Sequence, residues 1–340
     1  MKILLIRRDN LGDLILTTPL IAQLARAHCV DVLVNTYNQP VLEGNPHVRR
    51  VHLYAKLNHE TSLPAKVGVL WRRLKTLYAI WREHYDVAIV AKEHWDKRPM
   101  QWARASRAPR IIAIGEDAPA CVTDKIPFPQ EPVHIVELLQ RLAAPLGLNE
   151  PPGALELYPA PEEITRAAQK IPREAGVPTY GLQISARKLR QRWPVERFIA
   201  LAHRLAQRER CRIVLFWSPG SQTNPFHPGD DENAQRIVEA CADIAVTPFR
   251  SENIRDLMAG MALCDQIVTS DGGALHVAAG VGKPVVALFG NSHAHFWGPW
   301  KVPARVLEGR EQNVANLSVE EVLAAFVALR EETGRDAGHR

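Results

Sequence analysis

The residues best suited to chemistry lie in one turn of the C-terminal half, residues 270–273. An apolar strand enters this turn, a short helix is predicted over residues 274–281, and a buried strand over residues 285–289. Two glycines at the mouth of a helix let a ligand approach the backbone, and the N–H groups there favour a phosphate. Asp271 and His276 add polar groups at the same mouth. The alternative is a tight strand-to-helix turn with a capping aspartate and a structural histidine.

Every unusual polar loop of the chain follows a predicted strand, as this turn does. Parallel α/β sheets bind ligands beyond the carboxyl ends of their strands, so these loops are expected to form the functional site. One loop is strongly basic, because it contains Arg187, Lys188, Arg190 and Arg192, and it suits an anionic ligand. The loops span residues 7–13, 92–94, 185–192, 217–231 and 270–276.

The elements that position these loops alternate along the chain, and the predicted strands are apolar throughout. This pattern predicts an α/β fold with parallel sheets covered by helices on both faces. The proline-rich segment 149–161 is the best candidate for a linker, so two Rossmann-like domains are expected, residues 1–155 and 156–340. The first loop has one glycine instead of a GxGxxG pattern, which argues against a dinucleotide-dependent dehydrogenase.

Apolar periodicity and the positions of proline and glycine place the individual elements. Strands are predicted over residues 2–6, 31–35, 48–53, 86–91, 110–114, 179–185, 212–217, 267–269 and 285–289. Helices are predicted between residues 13 and 28 and over residues 66–84, 96–106, 132–146, 161–171, 193–208, 232–242, 251–262, 274–281 and 318–332. Pro19 lies either in the first turn of its helix or at a kink within it.

Composition bounds the class of protein. The chain has 340 residues, of which 46% are hydrophobic and 23% are charged, values typical of a globular protein. No apolar run is long enough for a transmembrane helix, and the apolar N-terminal stretch is too short for a signal peptide. Five cysteines are scattered without a CxxC pair. These features predict a cytoplasmic protein with reduced, structural thiols.

Positive charge is concentrated in residues 1–150, which carry 20 lysines and arginines against 15 acidic residues, whereas residues 151–340 are balanced. This indicates an anionic partner such as an acidic glycan, a membrane surface or nucleic acid, unless the charges only solvate one face. Nucleic acid is not expected, because the net charge of +5 is small and aromatic residues are not interleaved with basic ones along a strand.

The predicted helix over residues 66–84 combines basic and aromatic residues. Large apolar residues share one face and basic residues lie largely on the other, which is typical of a helix at a membrane surface. The alternative is a surface helix whose aromatic side chains pack on the core. The apolar face comprises Trp71, Leu74, Leu77, Tyr78 and Trp81. The basic residues are Arg72, Arg73, Lys75 and Arg82.

Three segments carry a family resemblance: ILLIRRDNLGDLILTTPLIAQL, ISARKLRQRWPVERFIALAHRL and TSDGGALHVAAGVGKPVVALFG. In their order and spacing, the chain resembles the heptosyltransferases of glycosyltransferase family 9 over essentially its whole length. The resemblance implies an α/β GT-B fold, with two facing Rossmann-like domains, parallel sheets and an interdomain cleft. It also implies that residues 1–155 bind the acceptor and residues 156–340 bind the nucleotide sugar.

The resemblance further implies an inverting, metal-independent glycosyltransferase that moves heptose from ADP-heptose, as co-substrate, to the inner core of lipopolysaccharide. The acceptor would be an anionic core intermediate that bears Kdo or heptose. No cofactor and no nucleic acid are expected. The enzyme would be cytoplasmic and peripheral on the cytoplasmic face of the inner membrane. The donor sugar, the acceptor position and the oligomeric state remain open.

On the acceptor side, Asp13 matches the family's proposed general base, which takes the proton of the attacking hydroxyl. A plain helix cap is the alternative for this residue. Arg7 matches a basic position that the family uses near its acidic acceptor. Arg72, Arg73 and Lys92 are the other cations expected on this side.

On the donor side, the segment from Asp271 to His276 matches the family's DxGxxH motif, which would hold the diphosphate and the sugar hydroxyls. The adenosine would lie near residues 216–221, with one of the three acids at residues 230–232 on the ribose. The expected donor-binding residues are Ser185, Arg187, Lys188, Arg190, Arg192, Phe216, Trp217, Asp271, Gly272, Gly273 and His276.

Two departures from the family pattern affect the donor side. Gln191 stands where the family often has a lysine that neutralises the leaving diphosphate, so Lys188, Arg190 or Arg192 is expected to substitute. Gly272 stands where threonine is common, which leaves backbone N–H groups to contact the phosphates. Both departures keep open a family member that uses another nucleotide sugar.

A catalytically inactive nucleotide-binding scaffold on the same fold is a further alternative. The retention of Asp13 and of the DGGALH segment argues against it. No metal site is expected, because the chain has no DxD triplet. His293 and His295 form an HxH pattern, which is interpreted as structural or acceptor-facing.

Overall fold

The structure, a computed structural model, describes residues 1–54, 63–223 and 229–337. The chain divides into two compact units, Met1–Tyr158 and Pro159–Arg340, here called unit 1 and unit 2. Within the described residues, each unit contains a six-stranded sheet in which neighbouring strands are parallel. The predicted α/β class with parallel sheets is confirmed. Residues 224–228 of the predicted loop 217–231 lie outside the described residues.

Unit 1 alternates strands and helices along most of its length. Its strands are β1 Lys2–Ile6, β2 Cys29–Asn35, β3 Arg50–Tyr54, β4 Val87–Val90, β5 Arg110–Ile114 and β6 Asp124–Ile126. Its helices are α1 Leu11–Ile15, α2 Thr18–Ala25, α3 Leu63–Glu83, α4 Lys97–Ala105 and α5 Ile135–Gln140. The strands lie in the order β3-β2-β1-β4-β5-β6. Successive residues of β1, β2 and β4 are buried on both faces of the sheet, which explains their continuous apolar sequence.

The predicted helix between residues 13 and 28 is two helices, α1 and α2. Pro19 lies in the first turn of α2, where its missing N–H leaves no hydrogen bond unmade. The hydroxyl of Thr17 donates to the carbonyl oxygen of Asp13 at 2.7 Å, and that of Thr18 donates to the carbonyl oxygen of Ile15 at 2.7 Å. These bonds close the junction between the helices. The first-turn alternative for Pro19 is therefore confirmed.

Unit 2 repeats the same alternation. Its strands are β7 Thr179–Gln183, β8 Arg212–Trp217, β9 Val246–Arg250, β10 Gln266–Ser270, β11 Val285–Phe289 and β12 Ala304–Glu308. Its helices are α6 Pro161–Lys170, α7 Val195–Arg208, α8 Asp231–Ala240, α9 Ile254–Ala262, α10 Gly273–Gly280, α11 Ala294–Trp297 and α12 Val319–Ala337. The strands lie in the order β12-β11-β10-β7-β8-β9.

The sequence analysis misses β6, β9 and β12, which are the outermost strands of their sheets. Edge strands are only partly covered, so they lack the continuous apolar run that marks a central strand. Pro248 lies within β9, where a residue without an N–H is tolerated because one side of an edge strand is unpaired.

The two sheets share one topology, with a reversal of strand order next to the first strand of each unit. The reversal lies between β1 and β4 in unit 1 and between β7 and β10 in unit 2. In open α/β sheets, ligands bind beyond the carboxyl ends of the strands at such a reversal. The strand order therefore places loop 7–13 beside loop 92–94, and loop 185–192 beside loop 270–276.

The aromatic side chains of helix α3 do not pack on the core, in contrast to the alternative interpretation of this helix. Val69 and Ile80 are buried, and the hydroxyl of Thr76 donates to the carbonyl oxygen of Leu53 at 2.8 Å, which anchors the inner face. The predicted apolar stripe instead lies largely in solvent, with only Leu77 packed against the core. Its exposed members are Trp71, Leu74, Tyr78 and Trp81, and the neighbouring Leu70 is exposed as well. None of the helices within the described ranges is both long and apolar enough to span a membrane.

A buried ion-pair network stabilises unit 1 at β2. Asp31 is fully buried, and its carboxylate accepts hydrogen bonds from Arg49 at 2.6 and 2.8 Å and from the Tyr85 hydroxyl at 2.5 Å. Burial raises the pKa of Asp31, but contacts with His52, Arg49 and Tyr85 outweigh it and lower the pKa to about 2. The charged carboxylate is thus the form that unit 1 stabilises.

We expect Asp31→Asn to lower the free energy of unfolding by about 2 to 3 kcal/mol at pH 7, because the buried group loses its charge-assisted hydrogen bonds with Arg49 and Tyr85, while Arg49 keeps its ion pair with Glu83. The folded pKa lies below the unfolded value of 3.8, so the contribution is complete above about pH 4 and is lost as the pH falls toward 2. This pH-dependent part amounts to about 2 kcal/mol. Urea unfolding of both proteins from pH 7 to pH 3 measures the difference.

The matched control is Asp124→Asn, which breaks a more exposed pair with Arg110 and should cost less. A difference between wild type and Asp31→Asn that does not shrink below pH 4 would contradict the assignment.

Candidate functional site

In unit 1, a buried arginine organises the loops after β1 and β4. Arg7 follows β1, and its side chain has no exposed surface. Its Nη1 donates a hydrogen bond to the carbonyl oxygen of Ala91 at 2.5 Å, just beyond β4. Nη2 lies 3.4 Å from Asp13 Oδ1, and Nη1 lies 3.6 Å from Glu93 Oε2 and 3.7 Å from Asp9 Oδ2. A buried guanidinium needs partners of opposite charge, so Arg7 gathers these three carboxylates into one acidic cluster.

Arg7 is expected to face an anionic acceptor, and that role stays a prediction. Its guanidinium is enclosed by protein and faces the acidic cluster. The reason is that Arg7 still belongs to the sheet, since its backbone N–H continues the ladder by donating to the carbonyl oxygen of Leu33 at 3.1 Å. Arg7 is therefore placed to orient Asp13.

Asp13 is held from two sides in the first turn of α1. Its Oδ2 accepts a hydrogen bond from the backbone N–H of Asn10 at 2.7 Å, so the helix-cap interpretation is confirmed. Its Oδ1 faces Arg7, and 15% of its side chain is exposed. The side-chain amides of Asn35 and Asn38 donate to carbonyl oxygens of residues 8–10 at 3.0 to 3.3 Å and fix the loop. The role of Asp13 as a general base stays a prediction, and capping does not conflict with it.

Lys92 joins the acidic cluster from the loop after β4. Its Nζ lies 3.5 Å from Asp9 Oδ1 and 3.0 Å from Asp96 Oδ2. Burial lowers the pKa of Lys92, but the hydrogen bond to Asp96 and the charge of Asp9 outweigh it, so the pKa is raised overall. Lys92 is thus a cation beside the acidic cluster, with part of its side chain exposed.

Arg72 and Arg73 both lie on α3. Arg73 donates to the Tyr54 hydroxyl at 3.0 Å, and its guanidinium lies 4.8 Å from the centre of that ring. Arg8 stacks 3.9 Å from the same ring, and burial lowers its pKa. Sequence reasoning misses Arg8, because nothing in the loop sequence indicates the aromatic partner on β3. Arg72 is exposed.

In unit 2, the turn after β10 has a backbone that requires glycine. Gly272 has φ +154° and ψ −171°, a conformation that residues with a side chain rarely adopt. It directly precedes α10, which begins at Gly273. A threonine at this position would strain the turn as it stands. The departure at Gly272 is thus a property of the backbone as well as the loss of a hydroxyl.

Asp271 joins three loops of unit 2 at this turn. Its Oδ2 accepts hydrogen bonds from Gln191 Nε2 at 2.6 Å, in the loop after β7, and from Ser292 Oγ at 2.5 Å, in the loop after β11. Burial raises the pKa of Asp271, and the Ser292 hydrogen bond and the charge of Lys188 oppose this effect. Sequence reasoning notes Gln191 only as a departure and misses Ser292, because neither residue type by itself signals a carboxylate partner.

Arg192 is engaged within the protein. Its Nε donates to the carbonyl oxygen of Ala186 at 2.8 Å, and its Nη1 donates to Asp230 Oδ1 at 2.8 Å. Asp230 is buried and also accepts from the Asn233 amide at 2.8 Å. Since a buried carboxylate needs its cation, Arg192 and Asp230 are structural partners, and their contacts with a donor stay a prediction.

The other cations of the basic loop are exposed. Arg190 Nη1 donates to the carbonyl oxygen of Glu311 at 3.4 Å, a long hydrogen bond. A Cβ on Gly290 would overlap the Arg190 carbonyl oxygen, so the loop passes directly over the end of β11. Arg187 and Lys188 are exposed, and within the described parts of the chain their side chains form no ion pair.

Two of the candidate ribose acids differ in their environment from Asp230. Asp231 accepts hydrogen bonds from Trp217 Nε1 at 2.8 Å and from the backbone N–H of Gly220 at 3.0 Å. These bonds lower the pKa of Asp231, with burial acting against them. Glu232 is exposed beside them. Trp217 thus fixes the start of α8 through its indole N–H.

The remaining predicted donor residues are divided between surface and core. Ser185 Oγ accepts a hydrogen bond from the backbone N–H of Ser218 at 2.8 Å, which joins the loops after β7 and β8. Phe216 is predicted to bind the donor, but its ring has no exposed surface. The ring packs against Phe249 with ring centres 5.4 Å apart. The sequence does not show that Phe216 points inward, because the predicted strand around it is apolar throughout. His276 is buried on α10.

The described residues contain no cluster of metal ligands. Across residues 1–54, 63–223 and 229–337, no three histidine, cysteine or acidic side chains are placed to hold a metal ion. His293 and His295 are both exposed at α11, and their role stays untested.

Comparison with known proteins agrees with this architecture. The chain is 23% identical to lipopolysaccharide heptosyltransferase 3 of Escherichia coli K12 over 96% of this chain and 97% of that protein. The structure of E. coli ADP-heptose lps heptosyltransferase II superimposes with a TM-score of 0.76 at 24% identity, over 98% of this chain and 100% of the other. E. coli heptosyltransferase WaaC, solved with ADP, superimposes with a TM-score of 0.79 at 17% identity, over 97% and 100%.

These likenesses confirm the predicted GT-B fold class. Residues 72–326 match the sequence model of glycosyltransferase family 9 (heptosyltransferase), which covers well over half of the chain. The chain therefore belongs to glycosyltransferase family 9, the heptosyltransferase family, and is a glycosyltransferase.

Proposed function

We propose that the enzyme transfers heptose from ADP-heptose to an anionic acceptor of the lipopolysaccharide inner core, with inversion and without a metal. Relatives named as lipopolysaccharide heptosyltransferases and a fold neighbour named for ADP-heptose support the substrates. The observation that carries the proposal is the Asp13 carboxylate, oriented by Arg7 and by its cap to Asn10 at the strand reversal of unit 1. Unit 1 binds the acceptor and unit 2 the nucleotide sugar.

The chemistry is a single displacement. The acceptor hydroxyl oxygen forms a bond to the anomeric carbon, and its proton passes to the carboxylate of Asp13. The bond from the anomeric carbon to the phosphate oxygen breaks, and its electron pair leaves with ADP. Attack opposite the leaving group inverts the anomeric centre. Cations of unit 2 supply the charge that a metal would otherwise provide.

The donor would be held at the turn before α10. Gly272 leaves the helix mouth open, so a diphosphate can approach the N–H groups of the first turn. Gln191 and Ser292 both bond to Oδ2 of Asp271, which leaves Oδ1 to accept from a sugar hydroxyl. The acceptor would meet two cations of unit 1, the partly exposed Lys92 and the exposed Arg72, while Arg73 stays bonded to Tyr54.

We expect Asp13→Asn to reduce kcat by 10²- to 10⁴-fold with little change in the KM for the donor, because an amide can keep the cap but cannot take a proton. Release of ADP and formation of the glycosylated acceptor, with ADP-heptose and an inner-core acceptor, measure the change. The matched control is Asp9→Asn, in the same acidic cluster, which should lose less. Turnover of Asp13→Asn within about twofold of wild type would exclude Asp13 as the base.

A second candidate retains the reaction and the fold but uses another nucleotide sugar. The observations that favour it are Gln191 and Gly272, which differ from the family pattern at the proposed donor contacts. A screen of nucleotide sugars with one acceptor separates the two candidates. Transfer from any of them also excludes an inactive scaffold.

The enzyme would be peripheral on the cytoplasmic face of the inner membrane, with α3 as the contact. Trp71, Tyr78 and Trp81 are 62%, 57% and 40% exposed along this helix. The guanidinium of Arg82 lies 5.8 Å from the Tyr78 ring centre, and that of Arg107 lies 5.4 Å from the Trp81 ring centre. Aromatic side chains favour the lipid–water interface and cations favour anionic headgroups, so this face matches an anionic membrane.

We expect the double change Trp71→Ser with Trp81→Ser to weaken binding to vesicles of phosphatidylcholine and phosphatidylglycerol at least fivefold in sedimentation assays, because interfacial burial of the indoles is lost. Arg72→Glu with Lys75→Glu should weaken it chiefly when phosphatidylglycerol is present. Tyr37→Ser is the control, since Tyr37 is 67% exposed and lies outside α3. Vesicle binding that is equal in all four proteins would rule out α3 as the contact.

A further inference from the structure

The donor turn of unit 2 has a buried carboxylate whose hydrogen bonds with the described side chains come from neutral groups. Asp271 is held by the amide of Gln191 and the hydroxyl of Ser292. A departing nucleoside diphosphate gains negative charge as its bond to the sugar breaks, and catalysis requires a positive group at that place. Neither Gln191 nor Ser292 supplies one, so the cation must come from another residue near the turn.

The basic loop offers four cations, and the structure separates them. Arg192 is committed to Asp230 and Ala186. Arg190 donates a long hydrogen bond to the carbonyl oxygen of Glu311. Arg187 and Lys188 remain exposed. Between these two, the local backbone decides.

Lys188 and Gln191 are joined by one tight turn. Lys188 is the residue before the 3-10 helix Leu189–Gln191, and its carbonyl oxygen accepts a hydrogen bond from the backbone N–H of Gln191 at 3.0 Å. Residues three apart in such a turn lie on the same side, whereas adjacent residues do not. Because Gln191 contacts Asp271 at 2.6 Å, this turn places Lys188 beside a residue that touches the donor turn.

The electrostatics agree with this geometry. The charge of Lys188 acts on Asp271 and opposes the rise in its pKa that burial causes. A lysine also combines a compact charge with a flexible stem, so an exposed lysine one turn away can reach a phosphate beside this carboxylate.

We infer that Lys188 is the catalytic cation of this enzyme, which neutralises the departing diphosphate from one 3-10 turn before Gln191. This inference deepens the proposed transfer and rests on it. As the bond between the anomeric carbon and the phosphate oxygen breaks, the electron pair stays on that oxygen, and the Lys188 ammonium stabilises it without giving up a proton. The hydroxyl proton goes to Asp13, so charge and atoms balance.

The test compares Lys188→Ala with Arg187→Ala and Arg190→Ala in the full chain. Lys188→Ala should reduce kcat with ADP-heptose by about 10²-fold and weaken ADP binding in calorimetry, whereas each arginine variant should lose less. Its melting temperature should be unchanged, because the side chain is exposed and forms no ion pair with described residues. Lys188→Arg, which keeps the charge, should retain more activity than Lys188→Ala.

A second-site change makes the assignment sharper. Gln191→Lys, added to Lys188→Ala, places an ammonium beside Asp271 again and should recover most of the lost kcat. Wild-type turnover and ADP affinity in Lys188→Ala would overturn the inference, as would an equal loss in Arg187→Ala or Arg190→Ala. If wild type transfers no heptose, the proposed function fails, and the ADP affinities alone then decide whether Lys188 holds the diphosphate.

Discussion

The parallel pairing of strands is the constraint on which the rest of the structure depends. Parallel strands all end at one edge of their sheet, and the reversal of strand order leaves room there between β1 and β4, and between β7 and β10. Residues far apart in sequence therefore meet without any local signal. Arg7 reaches Ala91, and Gln191 reaches Asp271. Chemistry in this enzyme is assembled by sheet topology and then refined by side-chain pairing.

The buried charge at the strand reversal is positive in unit 1 and negative in unit 2. Unit 1 buries a guanidinium and gathers carboxylates around it, so Asp13 is oriented by a charge that is itself buried. Unit 2 buries a carboxylate, Asp271, and satisfies it with neutral donors, while the cations of its neighbouring loop stay exposed or pair elsewhere. An acid held near solvent suits proton transfer, and exposed cations beside a glycine turn suit a phosphate.

Much of the fold can be predicted from the sequence because central parallel strands are continuous apolar runs. The predicted bounds of β1, β5, β8 and β11 match the structure, whereas partly polar edge strands such as β12 leave no such signal. Side-chain direction is harder to predict. Phe216 points into the core and Arg7 into protein, although both lie near the predicted loops.

Pairing between distant residues is the other limit, and it changes which residues are open to a ligand. From the sequence alone, Lys188, Arg190 and Arg192 are equivalent candidates for the cation. The structure shows that Arg192 is hydrogen-bonded to the buried Asp230. For the aromatic stripe of α3, the sequence shows the pattern but not whether other elements cover it. Its periodicity is evident in the sequence, yet only the structure shows that β3 and α4 leave its aromatic side chains uncovered.

Calorimetric titration of ADP, without added metal, into wild type, Gly272→Val and Gly282→Val, with UDP titrated into wild type for comparison, tests the central claim most directly. Both glycines flank α10 and both have positive φ, so each change strains the backbone, but only Gly272 lies at the proposed diphosphate site. The account predicts that ADP binds wild type and Gly282→Val with similar affinity and Gly272→Val at least tenfold more weakly. Equal binding to all three proteins, or stronger binding of UDP than of ADP to wild type, would contradict it.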